Sequence, residues 1–316
     1  MHQYQQRQGG QEASKPLAFD GKRERGTIPP EETQGEALLA VYAPEQQKVV
    51  AQGRIETEGG EIPAAQKVQA KVDLRGKVVV ADALHTQRAV SVQVVEAAGN
   101  YVWTIKENQP NTYRAIELLF TTPVPVKDGL DFQTARRVNK GHGRIDERTL
   151  TSSNLLNDYL VWPYVRLVFR LERKFIFRRK GQAVRVEHSF HYGLSSLCRT
   201  QTDNTHLMSF KRRYWQTETG LHFRRDFTFY EDATRMSHPH ATPNLATVHN
   251  IILSLFARLG LHNAAQAHPF LDADPKKAFS LLLSAHPRLY ESHIKHKGET
   301  TYCNILLIRY NIIKSD

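Results

Sequence analysis

The order in which strands and helices follow one another through the first 120 residues restricts this chain more than any other feature. "PLAFD" (16–20) reads as a strand that ends on an acid, Asp20. "EALLAVYAPEQQKVVAQGRIE" (36–56) reads as two strands around a proline-containing turn, an antiparallel hairpin. "EIPAAQKVQAKVDL" comes next, with Pro63 in its first turn and good helix formers after it, which predicts a helix. "VVVADALHTQ" (78–87) begins as an apolar strand and stops at Asp82, ahead of a helix, "TQRAVSVQVVEAAG", closed by Gly99. The strand "YVWTIK" (101–106) then leads through Asn108 and Pro110 into the helix "NTYRAIELLF". A three-strand meander followed by alternating helices and strands predicts a mixed α/β sheet covered on both faces. Open α/β sheets place their chemistry at strand ends, so two strands that each deliver one carboxylate there pose the question of what those acids meet.

This order matches the ribonuclease H-like fold, in which an acid at the end of the first strand lies beside one at the end of the fourth. Asp20 and Asp82 occupy those two places. From 121 to 200 the pattern changes. "TARRVNKGHGRIDERTLTSS" and "VRLVFRLERKFIFRRKGQAVRVEHSFHYGLSSL" alternate charged and apolar residues at period two, which predicts a strand-rich insertion with Arg and Lys on its outward faces. Helical patterning returns near 204 with "NTHLMSFKRRYWQTETGLHFRRD", "FTFYEDATRM" and "NLATVHNIILSLFARLG". The expected divisions are a disordered polar tail (1–15), a first part of the core (16–125), a β-rich insertion (126–200), a second, helical part of the core (201–285) and an unassigned tail (286–316).

Forty-three Lys and Arg against 32 Asp and Glu give a formal charge of +11 and a pI near 9.6. A chain this basic points to a polyanionic partner, nucleic acid ahead of a membrane surface. The two cysteines, Cys198 and Cys303, stand far apart with no CxxC, which argues against a disulfide scaffold and fits a reducing cytoplasm. The start has no apolar segment of the secretory kind, and the longest apolar runs fall short of the roughly 20 residues a membrane span needs. Fifteen histidines invite a metal reading, above all His238, His240 and His249 in "SHPHATPNLATVH". No carboxylate or cysteine stands at a regular ligand interval there, so a zinc site is not expected.

Six strings in order, "LAFDGK", "VVVADALHTQR", "GNYVWTIKENQ", "GHGRIDER", "RRYWQTETGLHFRRDFTFYEDATR" and "NLATVHNIILSLFARLG", carry a family likeness. Across about residues 16 to 285 the chain resembles DDE transposases of bacterial insertion sequences, of the ISAs-type branch that includes the H-repeat-associated proteins. The resemblance implies an Asp-Asp-Glu centre on a ribonuclease H-like fold, with a strand-rich insertion before the helix that carries the Glu. Asp20 in "FDGK" matches the first acid and Asp82 in "ADALHTQ" the second. Glu218 matches the third, in a helix pattern that here reads "YWQTETGLHF"; Thr217, Thr219 and Phe223 depart from that pattern, and Glu231 and Asp232 are nearby competitors. The helical region that members carry ahead of the first Asp has no counterpart in "MHQYQQRQGGQEASK", which reads as a truncated copy with a read-through tail.

Three carboxylates brought together from distant parts of a chain repel one another unless a cation binds between them. Two Mg²⁺ ions, or Mn²⁺ in their place, suit carboxylates while keeping positions for water and phosphate oxygens, and such a pair clamps an in-line attack at phosphorus. The implied activity is metal-dependent cleavage of double-stranded DNA at element ends and strand transfer to target DNA, by a homodimer among the assemblies to consider, in the bacterial cytoplasm at the nucleoid. The rival is a catalytically silent, DNA-binding remnant. Candidate DNA contacts are Lys22, Lys106, Gln109, Arg144, Arg212, Arg213, Trp215 and Arg225. Trp215 could stack a base, but Trp215 and Phe223 also fit a buried helix face with the Arg side chains outside.

Overall fold

A computed structural model describes residues 15–24, 35–56, 60–122, 131–141, 143–179, 182–233 and 241–261, with scattered positions as far as 276. The expected tails, apart from Lys15, lie outside the described residues, as do His238 and His240. The first three strands are β1 (Lys15–Arg23), β2 (Ala37–Ala43) and β3 (Lys48–Ile55), followed by helix α1 (Glu61–Gln69). Then come β4 (Lys77–Ala81), α2 (Arg88–Glu96), β5 (Asn100–Ile105) and α3 (Pro110–Thr121), the expected alternation. Four long strands complete the sheet: β6 (Gln133–Gly141), β7 (Arg144–Ser153), β8 (Leu167–Arg179) and β9 (Gln182–Ser195).

All nine strands form one sheet in the order β3-β2-β1-β4-β5-β9-β8-β7-β6. β1 is antiparallel to β2 and parallel to β4, and β4 is parallel to β5. From β5 outward every pairing is antiparallel. The strand-rich stretch is therefore no separate layer: β9 lies against β5, pairing Leu194 with Trp103, and the sheet runs on. Gly193 permits that junction, because a Cβ there would stand 2.2 Å from the ring of Phe169 and 2.3 Å from the Trp103 carbonyl oxygen.

β2 is buried at every position, since both faces of the sheet are covered. Successive side chains along a strand point to opposite faces, and the core divides accordingly. Leu17, Phe19, Val79, Ala81 and Trp103 pack toward α1, α2 and α3. Trp103 stacks on Tyr101 and donates its indole N–H to Ser91 Oγ at 2.9 Å, so its polar edge is satisfied inside the core. Ala18, Val78, Val80 and Val102 face the other way, against Leu207, Met208 and Phe210 of α4 (Asn204–Thr217). Asp203 caps α4, accepting from the His206 N–H at 2.8 Å.

The helix does not stop at α4. It passes through one π-helical turn (Glu218–His222), in which the Phe223 N–H bonds the Glu218 carbonyl, and continues as α5 (Phe223–Phe229). Tyr230, in the left-handed region at φ 54°, ends it where the sequence predicts a second helix; a short 3₁₀ turn (Glu231–Ala233) comes after. α6 (Ala241–Arg258) closes a third cluster with Tyr42, Leu221 and Phe229. Among the described residues no helix is long and apolar enough to cross a membrane.

Candidate active site

The register of β1 against β4 pairs Phe19 with Ala81, so Asp20 and Asp82, one step further along parallel neighbours, point to the same face. It is the face that α4 covers. The helix crosses both strand ends and lays Tyr214, Glu218 and His222 over Asp20, side chains four positions apart and hence on one stripe. Ligand atoms of Asp20, Glu218 and His222 all lie within 4.8 Å of one another. Tyr214 donates its hydroxyl to Asp20 Oδ1 at 3.2 Å. Burial, then the nearby Asp20 and Asp82 charges, push the Tyr214 hydroxyl well above the ordinary phenol range, so it stays a donor. His222 Nε2 lies 3.2 Å from Asp20 Oδ2, yet neither ring nitrogen, both buried, makes an aligned hydrogen bond.

Asp82 stands outside the 4.8 Å grouping. Its Oδ1 accepts from the backbone N–H of Leu84 at 2.9 Å and of His85 at 3.4 Å, holding the turn after β4. Asp82 thus does the ordinary work of a turn Asp while also lining a cavity under α4. A further acid, Glu61, begins α1 on the opposite face. It accepts a 2.7 Å contact from His85 and lies so close over Gly21 that a Cβ there would be 2.5 Å from its carboxylate.

The competitors for the third acid are engaged elsewhere. Glu231 is buried between Arg225 at 2.7 Å and His249, and Asp232 lies 3.2 Å from Lys22. Burial raises the Glu231 carboxyl, but the His249 hydrogen bond and the Arg225 charge outweigh it and hold the group below its usual range. His249, considered for zinc in the sequence, is thereby a carboxylate partner stacked on Phe229.

Two expected DNA contacts need correction. Arg225 is wholly buried, bonded to Glu24 at 2.6 Å and Glu231 at 2.7 Å, so its guanidinium has no surface to offer a phosphate. Lys22 is 8% exposed and held by Glu24, Asp226 and Asp232, at 2.7 Å for the second. Helix phase explains both: the π turn inserts one residue and rotates α5, which carries Arg225 inward and sets Asp226 against Lys22. The buried reading of the aromatics fails as well, with Trp215, which precedes the π turn, and Phe223 each 57% exposed. Lys106, Arg144 and Arg212 are exposed. Arg144 lies over the Phe175 ring, Arg213 pairs with Glu45 at 3.1 Å, and Gln109 donates to the Thr86 carbonyl at 3.2 Å.

Lys211, not among the residues singled out by sequence, bonds Thr104 Oγ1 on β5 beneath the helix. Burial, and after it Lys106, lower its ammonium to about 8. Its place one position from Arg212 gave no local signal of burial. Tyr214 and His222 did leave one, their four-residue spacing from Glu218.

A mixed sheet that brings chain-distant acids together under one helix defines a class: α/β proteins with a carboxylate-centred site on one sheet face. No family model matches the chain. Among curated proteins it is 32% identical over 162 residues to "Uncharacterized protein in dhlA 3'region" of Xanthobacter autotrophicus, covering 50% of this chain and 54% of that one. It is 24% identical over 242 residues to "Putative transposase YncI" of Escherichia coli O157:H7, covering 76% and 61%. It is 21% identical over 246 residues to "H repeat-associated putative transposase YhhI" of Escherichia coli K12, covering 76% and 63%. The chain is a homologue of proteins carrying the H-repeat transposase name, as its motifs imply. It spans between 54% and 63% of the length of these relatives. A solved structure, "Cryo-EM structure of piggyBac transposase synaptic complex with hairpin DNA", overlaps 95% of this chain and 57% of its own, loosely, at 11% identity and TM-score 0.41.

Proposed function

We propose that this chain carries a DDE transposase-type catalytic core, in which Asp20, Asp82 and Glu218 hold divalent cations for cleavage and rejoining of DNA strands. One observation carries the reading: Asp20 and Glu218, from opposite ends of the described chain, put their oxygens within 4.8 Å, with Asp82 in register beside Asp20. The strand order β3-β2-β1-β4-β5, antiparallel then parallel, supports a ribonuclease H-like core beneath it. The homologues' names support the same class of activity.

The donor set fits a divalent ion. Carboxylates this close repel unless a cation lies between them, and oxygen donors suit Mg²⁺ or Mn²⁺. The buried, unpartnered nitrogens of His222 beside them add a donor that Mn²⁺ tolerates better than Mg²⁺. Bound there, the metal would activate water or a 3′-hydroxyl and stabilise the leaving oxygen. The chain's own part is to position. Tyr214 fixes one oxygen of Asp20 by donating to it, leaving the other toward Glu218 and His222. Asp82 keeps its Oδ1 on the turn, so its second oxygen would be the one to hold an ion.

The test is nicking of supercoiled plasmid with Mg²⁺ or Mn²⁺, beside filter binding of the same DNA. Asp82→Asn and Glu218→Gln should each abolish nicking while binding persists, since phosphate contacts by Lys and Arg remain. Undiminished nicking by either variant removes that residue from the centre. Binding without nicking by the wild type would leave the silent remnant as the reading.

A further inference from the structure

Beside Asp82, between α4 and the exposed stretch of the sheet, lies a cavity of about 280 Å³. Its walls come from four separate parts of the chain: Lys106 after β5, Arg148 on β7, Arg173 on β8, and Lys211 and Arg212 on α4. Arg148 and Arg173 are cross-strand neighbours, directly opposite one another. Like charges so placed destabilise a sheet, and one carboxylate, Asp146, serves both, holding Arg148 at 2.5 Å and reaching Arg173 by its charge alone. Among the described residues no carboxylate forms an ion pair with Lys106, Arg173, Lys211 or Arg212, and the buried Nε of Arg173 has no hydrogen-bond partner. The strain is mutual: burial, then the neighbouring cations, lower Arg173, Lys211 and His191, which also lines the cavity. Asp82 and Asp146 offset part of this charge, but five cations around one cavity outnumber those two acids, and the remaining repulsion has a cost. An anion entering it would relieve the repulsion.

We propose that this cavity is a phosphate subsite that takes a backbone phosphate of a nucleic-acid strand whose neighbouring phosphorus lies at the carboxylates. Asp82 lines the same cavity, so a strand held there is delivered to the catalytic face. Trp215 and Tyr214 also line it, giving the sugar and base beside the phosphate an aromatic wall that a free inorganic ion would not use. The inference rests on the carboxylates acting on DNA, but its test needs neither metal nor cleavage.

A fluorescent 20-mer with 5′-hydroxyl ends is titrated with the protein in EDTA at several salt concentrations. Lys211→Met and Arg173→Gln should each weaken binding about tenfold and lower the salt slope by about 1, uniformly across sequences. Arg212→Gln, exposed and without structural partners to lose, should do the same and covers the case in which a buried variant fails to fold. Lys174→Gln, on β8 but facing away from the cavity, should change nothing. The same variants should melt no lower than the wild type without DNA, and Lys211→Met higher, because repulsion is removed. Unchanged binding with a lowered melting temperature would make these cations structural and overturn the proposal. Displacement of the 20-mer by millimolar inorganic phosphate at constant ionic strength would assign the cavity to a free anion and overturn the polymer as its occupant. A failure here leaves the nicking result of Asp82→Asn standing, so the two readings fall separately.

Discussion

Asp20 is the best-prepared side chain of the site, with Tyr214 on one oxygen and His222 on the other. Tyr214→Phe deletes a single hydrogen bond, worth roughly 1 kcal/mol and more to a charged acceptor. Single-turnover nicking should fall about tenfold while the melting temperature hardly moves; an unchanged rate would show that Asp20 needs no orientation. His222→Gln removes the imidazole but keeps a polar side chain. The expected result is a larger loss in Mn²⁺ than in Mg²⁺, read as a changed ratio of the two nicking rates. These residues were within reach of the sequence, because Tyr214, Glu218 and His222 sit four apart around an acid already singled out. Arg148, Arg173 and Lys211 were not. They converge from β7, β8 and α4, and in the sequence each is one more cation in a period-two or helical pattern.

At the scale of elements the helix from Asn204 to Phe229 decides most. Its helical character from 204 was readable, but its end at Tyr230 and the π turn at Glu218–His222 were not, since no residue type signals such a turn. That turn sets the phase of α5 and with it the buried place of Arg225. Arg225 now joins α5 to β1 through Glu24 and to the 3₁₀ turn through Glu231. Arg225→Met would take the shared counter-charge from two buried carboxylates, leaving Glu24 with Lys22 alone and Glu231 with His249 alone, a loss of about 3–5 kcal/mol in urea unfolding. Its pH dependence has a definite sign. With Arg225 gone, burial outweighs the remaining Lys22 and His249 contacts and raises both carboxyls in the folded variant above their unfolded values. The variant's deficit is therefore full above those raised values and shrinks as pH falls through them. A deficit that instead grows on acidification would mean that other cations replace Arg225. Gly193→Ala tests the junction of β9 with β5: overpacking there costs typically ~1–3 kcal/mol, and with the Trp103 backbone in the way the upper end is expected. A neutral substitution would show that the strands can part locally.

At the scale of the whole molecule, the alternation of strands and helices as far as α3 was legible because each period was regular and each boundary carried Pro, Gly or an acid. The strand-rich stretch was legible as strands, yet its attachment was hidden. Nothing local in "GLSSL" says that it must lie beside "YVWTI", and only the shared burial of Leu194 and Trp103 joins them. That late partnership bears on how the chain is made. As it leaves the ribosome at roughly 5–20 residues per second, β5 is complete several seconds before β9 exists to cover it. For that interval a strand of five consecutive buried residues presents a bare row of amides and carbonyls, the kind of edge along which nascent chains stick to one another. Cells making this protein quickly should accumulate it in inclusion bodies, and slowing translation between the codons for α3 and β9 should worsen that yield, while a chaperone able to hold the exposed edge should restore it.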